Sequence, residues 1–496
     1  MNILGISAGF HDAGMSCVSD GEILFAAHSE RYSRQKHDSK LCSEMLFDCL
    51  SRTGLPDVIA YYERPWVKKT RQLYAGQWNS LWSDWSVRGM INEIDLEGVL
   101  KHVPIKTYNH HLSHAAAGFQ TSPYKDSTVV VIDAIGEWDT ISIWDARYDS
   151  QGQATYKKLW GQKYPHSIGL MYSAFTKEVG LRPLDEEYIL MGMAAYGQSH
   201  FKDAFKTVLL EEPTSLTFRH NLHLGLPDGG RGGYGEQFDV AAGAQELVEE
   251  LINEVIRISK KLGISKNLTY MGGVALNCSA NRDLGQYYDN IWIMPNPGDA
   301  GSSLGAASLA YGKQLNWKDA YLGYDIKGEY PVKDLLTELL ENKIVGVANG
   351  PAEFGPRALG NRSLLADPRG TEIKDQVNEI KRRQKFRPFA PVILEEYANE
   401  YFQMPSGFPT SDYMQVTALC NFPKQFPAII HHDGTSRVQT VPKNSRSGIR
   451  QLLEAWHVWT GCPMLLNTSL NIRGEPMVNT LSDAERFQEH YGIRVL

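Results

Sequence analysis

Apolar residues in this chain fall into two spacings, short unbroken runs and three-four repeats, and their alternation predicts an α/β protein. Met1–Ser7, Thr128–Ile132, Leu268–Met271 and Ile291–Met294 read as buried strands. A small-residue turn, Ala8 to Gly14, follows the first run and leads into a second strand. Leu247, Val248, Leu251, Ile252, Val255 and Ile256 line one side of a helix over residues 240–262, with Gly263 at its C-cap. Asn109 is an N-cap for a helix through His110 and the alanines Ala115–Ala117. Trp78, Trp82 and Trp85 share a helical face after Trp66 and read as core or dimer contact. Six glycines between Gly225 and Gly235 predict a mobile loop, a candidate lid. Periodicity fades over 313–331, which reads as a linker and divides the chain into 1–325 and 326–496.

Composition narrows the class. A chain of 496 residues supports two or three domains, each with its own core. The net charge of -7 gives no general attraction to nucleic acid. Six cysteines without a C-x-x-C pair suit a reducing compartment and exclude a zinc ribbon. No apolar run approaches ~20 residues and the first strand does not look like a signal peptide, so a cytoplasmic protein without a membrane span is expected.

Candidate chemistry sits between the predicted elements. His110 and His114 lie four apart, so on a helix both imidazoles leave one face and can grip one ion, while His111 points away. Packing histidines are the plainer alternative, and no glutamate stands between them as in a metalloprotease. Asp133 and Asp299 each stand at a predicted strand end beside glycine, a setting for metal or phosphate. Gly272 and Gly273, followed by Asn277, form a strand, glycine turn and helix, a cradle for a nucleotide. Glu30–Lys36 is dense in charge beside the first turn; a solvated face is its bland reading. Beyond residue 350 the basic residues Arg357, Lys381, Arg387 and Arg437 are interleaved with Gly, Ser and Asn, including Asn467 and Ser469. That mixture describes a pocket for a compact oxyanion rather than a nucleic-acid surface.

Several segments together resemble the NodU/CmcH (TobZ-like) family of O-carbamoyltransferases. They are Gly5-Ile6-Ser7-Ala8 with His11-Asp12, His110 to Ala116, and Met271 to Asn277. Gly355 to Ser363, Phe386 to Pro391, Asp433 to Arg437 and Asn467-Thr468-Ser469 complete the set, in one order along the chain. The resemblance implies a duplicated actin-like (ASKHA) domain over 1–325, similar to the tRNA threonylcarbamoyl-transfer ATPase, and a YrdC-like α/β domain over 326–496. It implies that carbamoyl phosphate and ATP, with Mg2+, give carbamoyl-adenylate in the second domain. The carbamoyl group then passes internally to a hydroxyl of a small acceptor (a sugar, antibiotic or nucleotide-like molecule). By motif, His110, His114, Asp133 and Asp299 look like ligands of iron(II) or another divalent ion. Arg357, Lys381, Arg387, Arg437, Asn467 and Ser469 look like carbamoyl phosphate and ATP contacts, and His11 and Lys36 like catalytic residues on the acceptor side. A homodimer is among the partners considered.

Three positions depart from the family pattern. Ser7-Ala8-Gly9-Phe10 lacks the tyrosine that often precedes the histidine, Asp133-Ala134 replaces Asp-Gly, and Met191-Gly192-Met193 replaces Met-Gly-Leu. Carbamoyl transfer of the threonylcarbamoyl or hydrogenase-maturation type is one alternative; the latter uses paired-cysteine zinc motifs, which this sequence lacks. A non-catalytic actin-like ATPase scaffold is the other, and it would need no second anion pocket.

Overall fold

The computed structural model describes residues 1–78, 86–227 and 237–496. Trp82, Trp85 and most of the Gly225–Gly235 stretch lie outside the described residues.

Strand β1 (Asn2–Ser7) is buried from Ile3 onward and pairs antiparallel with β2 (Gly14–Ser19), which pairs antiparallel with β3 (Glu22–His28). On the other side of β1, β4 (Val58–Tyr61) and β5 (Ile105–Thr107) add in parallel, giving the order β3-β2-β1-β4-β5. A second sheet repeats this plan. Its strands are β6 (Asp126–Gly136), β7 (Asp139–Tyr148), β8 (Ala154–Lys163), β9 (Asn267–Met271) and β10 (Asn290–Trp292). Their order is β8-β7-β6-β9-β10, with the first three antiparallel and the last two parallel. One topology therefore occurs twice in the first two-thirds of the chain.

The repeat extends to the helices. Each fifth strand is followed by a helix of small residues, His110–Thr121 after β5 and Ser302–Tyr311 after β10, and these two helices pack on each other. Their contact is backbone-close: a Cβ on Gly305 would lie 1.8 Å from the Ser113 carbonyl oxygen, and β1 packs as tightly on the second helix, where a Cβ on Gly5 would lie 2.0 Å from the Ser303 oxygen. The amphipathic helix predicted over 240–262 is present as Gln237–Leu262, with Leu247, Leu251, Ile252, Val255 and Ile256 in the core.

Beyond residue 320 the sheets are separate. β11 (Tyr321–Ile326) pairs with β13 (Gly350–Glu353). β12 (Ile344–Ala348) and β14 (Arg362–Ala366) enter a five-stranded sheet, and β15 (Ala390–Leu394) follows. A small sheet of β16 (Phe402–Gln403), β17 (Thr417–Cys420) and β18 (Thr435–Arg437) comes next. β19 (Gln439–Val441) and β20 (Met464–Ser469) complete the larger sheet, in the order β12-β14-β20-β15-β19, over a core that includes Leu364, Ile393, Leu465 and Trp456.

Three expectations need correction. The stretch 313–331 is not a free linker: β11 lies within it and hydrogen-bonds to β13, so the 325/326 division falls inside a paired strand. Weak periodicity there reflects an edge strand only partly buried. The strand before Asp133 runs on to Gly136, although its register with β7 shifts between Ile132 and Gly136, which takes Asp133 out of the ladder. The glycine turn after β9 leads into a four-residue 3-10 turn, Gly273–Leu276, rather than an α-helix.

Gly305→Ala tests the helix crossing. Helix propensity favours the alanine by up to ~1 kcal/mol, but a methyl group against a backbone oxygen cannot be relieved by a rotamer change. A net loss of about 1–3 kcal/mol is expected in urea unfolding. An unchanged midpoint would mean that the two helices do not meet at this glycine.

Candidate functional site

One helix from the first half of the duplication and two segments from the second, β6 and the turn at Asp299, meet at the histidine pair. Asn109 caps the helix by accepting from the Leu112 amide (2.9 Å), and the next residues put His110 and His114 one turn apart. Their Nε2 atoms are 3.1 Å apart. Asp133 Oδ2 lies 3.3 Å from His110 Nε2 and 3.4 Å from His114 Nε2, and Asp299 Oδ1 lies 3.2 Å from both. All four side chains are buried, and their donor atoms lie within 4.8 Å of one another. Edges of 3.1–3.4 Å are what a divalent ion about 2.1 Å from each donor requires. Two neutral imidazoles and two carboxylates also balance a charge of +2, so the donor set fits such an ion.

The surrounding atoms fix these donors. His114 Nδ1 faces the Pro297 carbonyl at 3.1 Å, which directs Nε2 into the cluster. The same carbonyl accepts from the Gly272 amide (2.9 Å). Gly272 has φ +92°, and a Cβ there would lie 2.1 Å from the Ile132 oxygen, so only glycine fits. Asp133 Oδ1 accepts from the amides of Ala134 (2.8 Å) and Gly273 (3.3 Å), which ties the glycine turn to the cluster. His110 Nδ1 is buried without a hydrogen bond and is faced by Glu63 Oε2 at 3.6 Å; Glu63 is in turn held by Lys68 (2.7 Å). His111 turns away from the pair, as its spacing predicts, and bonds Ser142 Oγ at 2.8 Å. Asn277 is engaged with Gln245, whose amide nitrogen donates to its Oδ1 at 3.0 Å.

His11 and Lys36 share a network outside this cluster. His11 Nδ1 bonds Asp12 Oδ2 at 2.9 Å, and Lys36 Nζ bonds Asp185 Oδ1 at 2.7 Å. Burial opposes charge on His11, but Asp12, with Asp299 and Asp133 further off, pushes its pKa up to about 9. Lys36 is likewise raised against burial, with Tyr188 and Asp185 as the causes.

The basic residues of the last third converge, and carboxylates are missing from their midst. Arg357 and Arg437 have neither a hydrogen-bond nor a salt-bridge partner for their side chains among the described residues, and Arg437 Nε is a buried orphan. Burial and the neighbouring Arg437 and Arg387 hold Arg357 down at about 9. Arg387 stacks on Tyr188 (4.8 Å to the ring centre), and Arg383 on Phe389 (4.1 Å). Lys381 is buried, and its ammonium is engaged by the Ser469 carbonyl and hydroxyl and by Asn471 O and Oδ1. Its protons are thus taken by neutral oxygens, and burial with Arg383 and Arg387 lowers its pKa. Asn467 donates to the Ala358 carbonyl (3.0 Å) and to Gln439 Oε1 (2.7 Å), leaving its own Oδ1 buried and unpaired. Unpaired like charges at close range cost energy unless an anion joins them, so the cluster has the chemistry to receive a compact oxyanion.

Sequence reading missed Glu63, His37 and Asp185. His37 sits next to Lys36, but its partner Asp185 is 148 residues away, and no spacing rule links them. Among the described residues no helix is long and apolar enough to cross a membrane.

Comparison with known proteins adds the family. A carbamoyltransferase N-terminus model matches residues 87–308, and a carbamoyltransferase C-terminus model matches 336–496. The chain is similar to an uncharacterized protein of Synechocystis sp., 33% identical over 98% of this chain and 94% of that protein. It is 31% identical to the nodulation protein NolNO of Sinorhizobium fredii, over 96% of this chain and 76% of the relative. It is 27% identical to the 3'-hydroxymethylcephem-O-carbamoyltransferase of Amycolatopsis lactamdurans, over 97% of this chain and 95% of that enzyme. Among solved structures, (R)-2-hydroxyglutaryl-CoA dehydratase component A of Acidaminococcus fermentans overlaps 63% of this chain and 98% of its own, with a TM-score of 0.35 at 15% identity. That likeness is too low to bear on the fold or the function.

Proposed function

This chain belongs to the NodU/CmcH family of carbamoyltransferases, and from that premise we propose that it joins carbamoyl phosphate and ATP into carbamoyl-adenylate and passes the carbamoyl group to an alcohol. The observation that carries the reading is the cation cluster around Arg357, Arg387 and Arg437, which has no carboxylate of its own. Carbamoyl phosphate and the polyphosphate of ATP, with Mg2+, are anions of the right kind for it. Water first splits carbamoyl phosphate into carbamate and inorganic phosphate; a carbamate oxygen then attacks the α-phosphorus of ATP and expels pyrophosphate, and AMP leaves when the acceptor hydroxyl attacks the carbamoyl carbon. Lys381 contributes charge and orders Ser469 and Asn471, while Asn467 Oδ1 offers an acceptor for the carbamoyl NH2 group.

We place transfer at the N-terminal end. His11 Nδ1 is turned to Asp12, leaving Nε2 to take the acceptor proton, and the Lys36 ammonium offsets charge developing on the carbonyl oxygen. His110, His114, Asp133 and Asp299 would hold a divalent ion, iron(II) in our reading, which would supply Lewis acidity there. Gly272, Gly273 and Asn277, on the glycine turn that follows β9, are proposed as nucleotide contacts. The repeated sheets fit the actin-like part of the proposal and the separate sheet after residue 340 its YrdC-like part. A cytoplasmic enzyme acting on a small hydroxyl compound is the corresponding biological role.

Three measurements test the proposal: metal content, AMP formation and acceptor carbamoylation. One divalent ion per chain is expected by elemental analysis, with His114→Ala losing most of it; equal metal in both proteins would refute the ligand set. Arg437→Ala removes a charge-assisted contact of about 1.5–3 kcal/mol, so AMP formed in response to carbamoyl phosphate should fall roughly tenfold or more. His11→Asn and Lys36→Ala should instead keep forming AMP while acceptor carbamoylation is lost. AMP formation at the parental rate in Arg437→Ala would mean that activation happens elsewhere.

A further inference from the structure

His37 stands between the two residues assigned to transfer. Its Nδ1 lies 2.7 Å from Asp12 Oδ1, and its Nε2 lies 2.8 Å from Asp185 Oδ1. Ionised carboxylate oxygens only accept hydrogen bonds, so both ring nitrogens carry protons and His37 is an imidazolium by geometry alone. Asp12 uses its other oxygen for His11 (2.9 Å), and Asp185 Oδ1 is shared with Lys36 (2.7 Å). His11, Asp12, His37, Asp185 and Lys36 thus form one chain of alternating charge. It spans both halves of the duplication, since Asp185 lies beyond β8.

The loops that carry this chain are bent to make it. Asp12 has φ 51° and His37 φ 55°, left-handed conformations that are strained for a residue with a side chain. Two backbone bonds latch the loops together, Ala13 N to Asp38 O (2.7 Å) and Gly9 N to Ser39 O (2.8 Å). The charged groups around His37 are Asp12, Asp185 and Glu30, whose Oε2 accepts from the His37 amide (3.0 Å), together with Lys36 and Arg182 on the far side of Asp185. Burial opposes the charge on His37, yet Asp12 and Asp185 push its pKa up to about 10, in keeping with the geometry.

We propose that His37 is a positioning residue for carbamoyl transfer, which holds His11 and Lys36 at a fixed distance by bridging the carboxylates of Asp12 and Asp185. The inference rests on the assignment of His11 and Lys36 to transfer. It has a further consequence for His11. While His37 shares Asp12, the carboxylate's pull on the His11 proton is divided; without it, Asp12 holds that proton alone. His11 can accept a proton only when neutral, so losing His37 moves that condition to higher pH.

The test is the NMR titration of the His11 ring in the full chain as purified, its signal assigned by loss in His11→Asn. In His37→Gln the His11 midpoint should rise by about one pH unit. The ratio of carbamoylated acceptor to AMP at neutral pH should fall by roughly tenfold. An unchanged midpoint with only a lowered melting temperature would make His37 a structural brace and overturn the proposal. If His37→Gln does not fold, His37→Arg decides. It keeps a cation between the carboxylates and should retain the parental midpoint, whereas a rise of about one unit would overturn the charge bridge. The NMR reading uses neither carbamoyl phosphate nor acceptor. An absence of transfer in the parent protein would therefore count against the proposed function without touching this result.

Discussion

The centre of this protein depends on how closely the helix His110–Thr121 approaches the helix Ser302–Tyr311. Gly305 lets the Ser113 carbonyl come within what would be 1.8 Å of a Cβ, and no larger residue allows that separation. The crossing brings Asp299, three residues before the second helix, to 3.2 Å from His114 on the first. Because each helix follows the fifth strand of its own sheet, the duplicated topology delivers ligands from both halves to one point. The Pro297 carbonyl and Gly272 then hold the donors in place, so backbone packing precedes the chemistry.

Opposite electrostatic designs occupy the two parts of the chain. In the first, carboxylates and imidazoles are buried together and each offsets the other, with Asp133 and Asp299 held low chiefly by His110 and His114 against burial. In the second, arginines are gathered without acids and depress one another. Buried cations without acids are costly until an anion joins them, whereas the first cluster has the donor types to hold a cation. Contacts such as Arg34 to the Met477 carbonyl (2.6 Å) and Tyr196 to the Phe386 carbonyl (2.8 Å) join the two parts.

Much of this was legible in the sequence because it is local. The helical spacing of His110 and His114, the cap at Asn109 and the apolar stripe of residues 240–262 are short-range patterns, and each is present. Asp133 and Asp299 were legible as carboxylates near glycine, but neither ends a strand: β6 continues past Asp133, which a shift in register frees, and Asp299 opens a 3-10 turn well after β10. The strand β11 was hidden because its partner β13 lies beyond an intervening helix and strand, and an edge strand shows little periodicity. The expected helix after Gly273 shrank to a 3-10 turn, whose amide serves Asp133 instead of standing at the head of a helix dipole. His37, Glu63 and Asp185 were invisible for another reason: each acts through a residue far along the chain, and a charged residue on a loop carries no period.

In the proposed reaction an adenylate forms in the arginine pocket before any acceptor is present. Exchange of labelled pyrophosphate into ATP, measured on the full chain with carbamoyl phosphate and Mg2+ but no acceptor, tests it most directly. Exchange that requires carbamoyl phosphate is expected, since forming an enzyme-held carbamoyl-adenylate releases pyrophosphate reversibly. Consumption of ATP to ADP, or carbamoylation of an acceptor with no exchange at all, would contradict it.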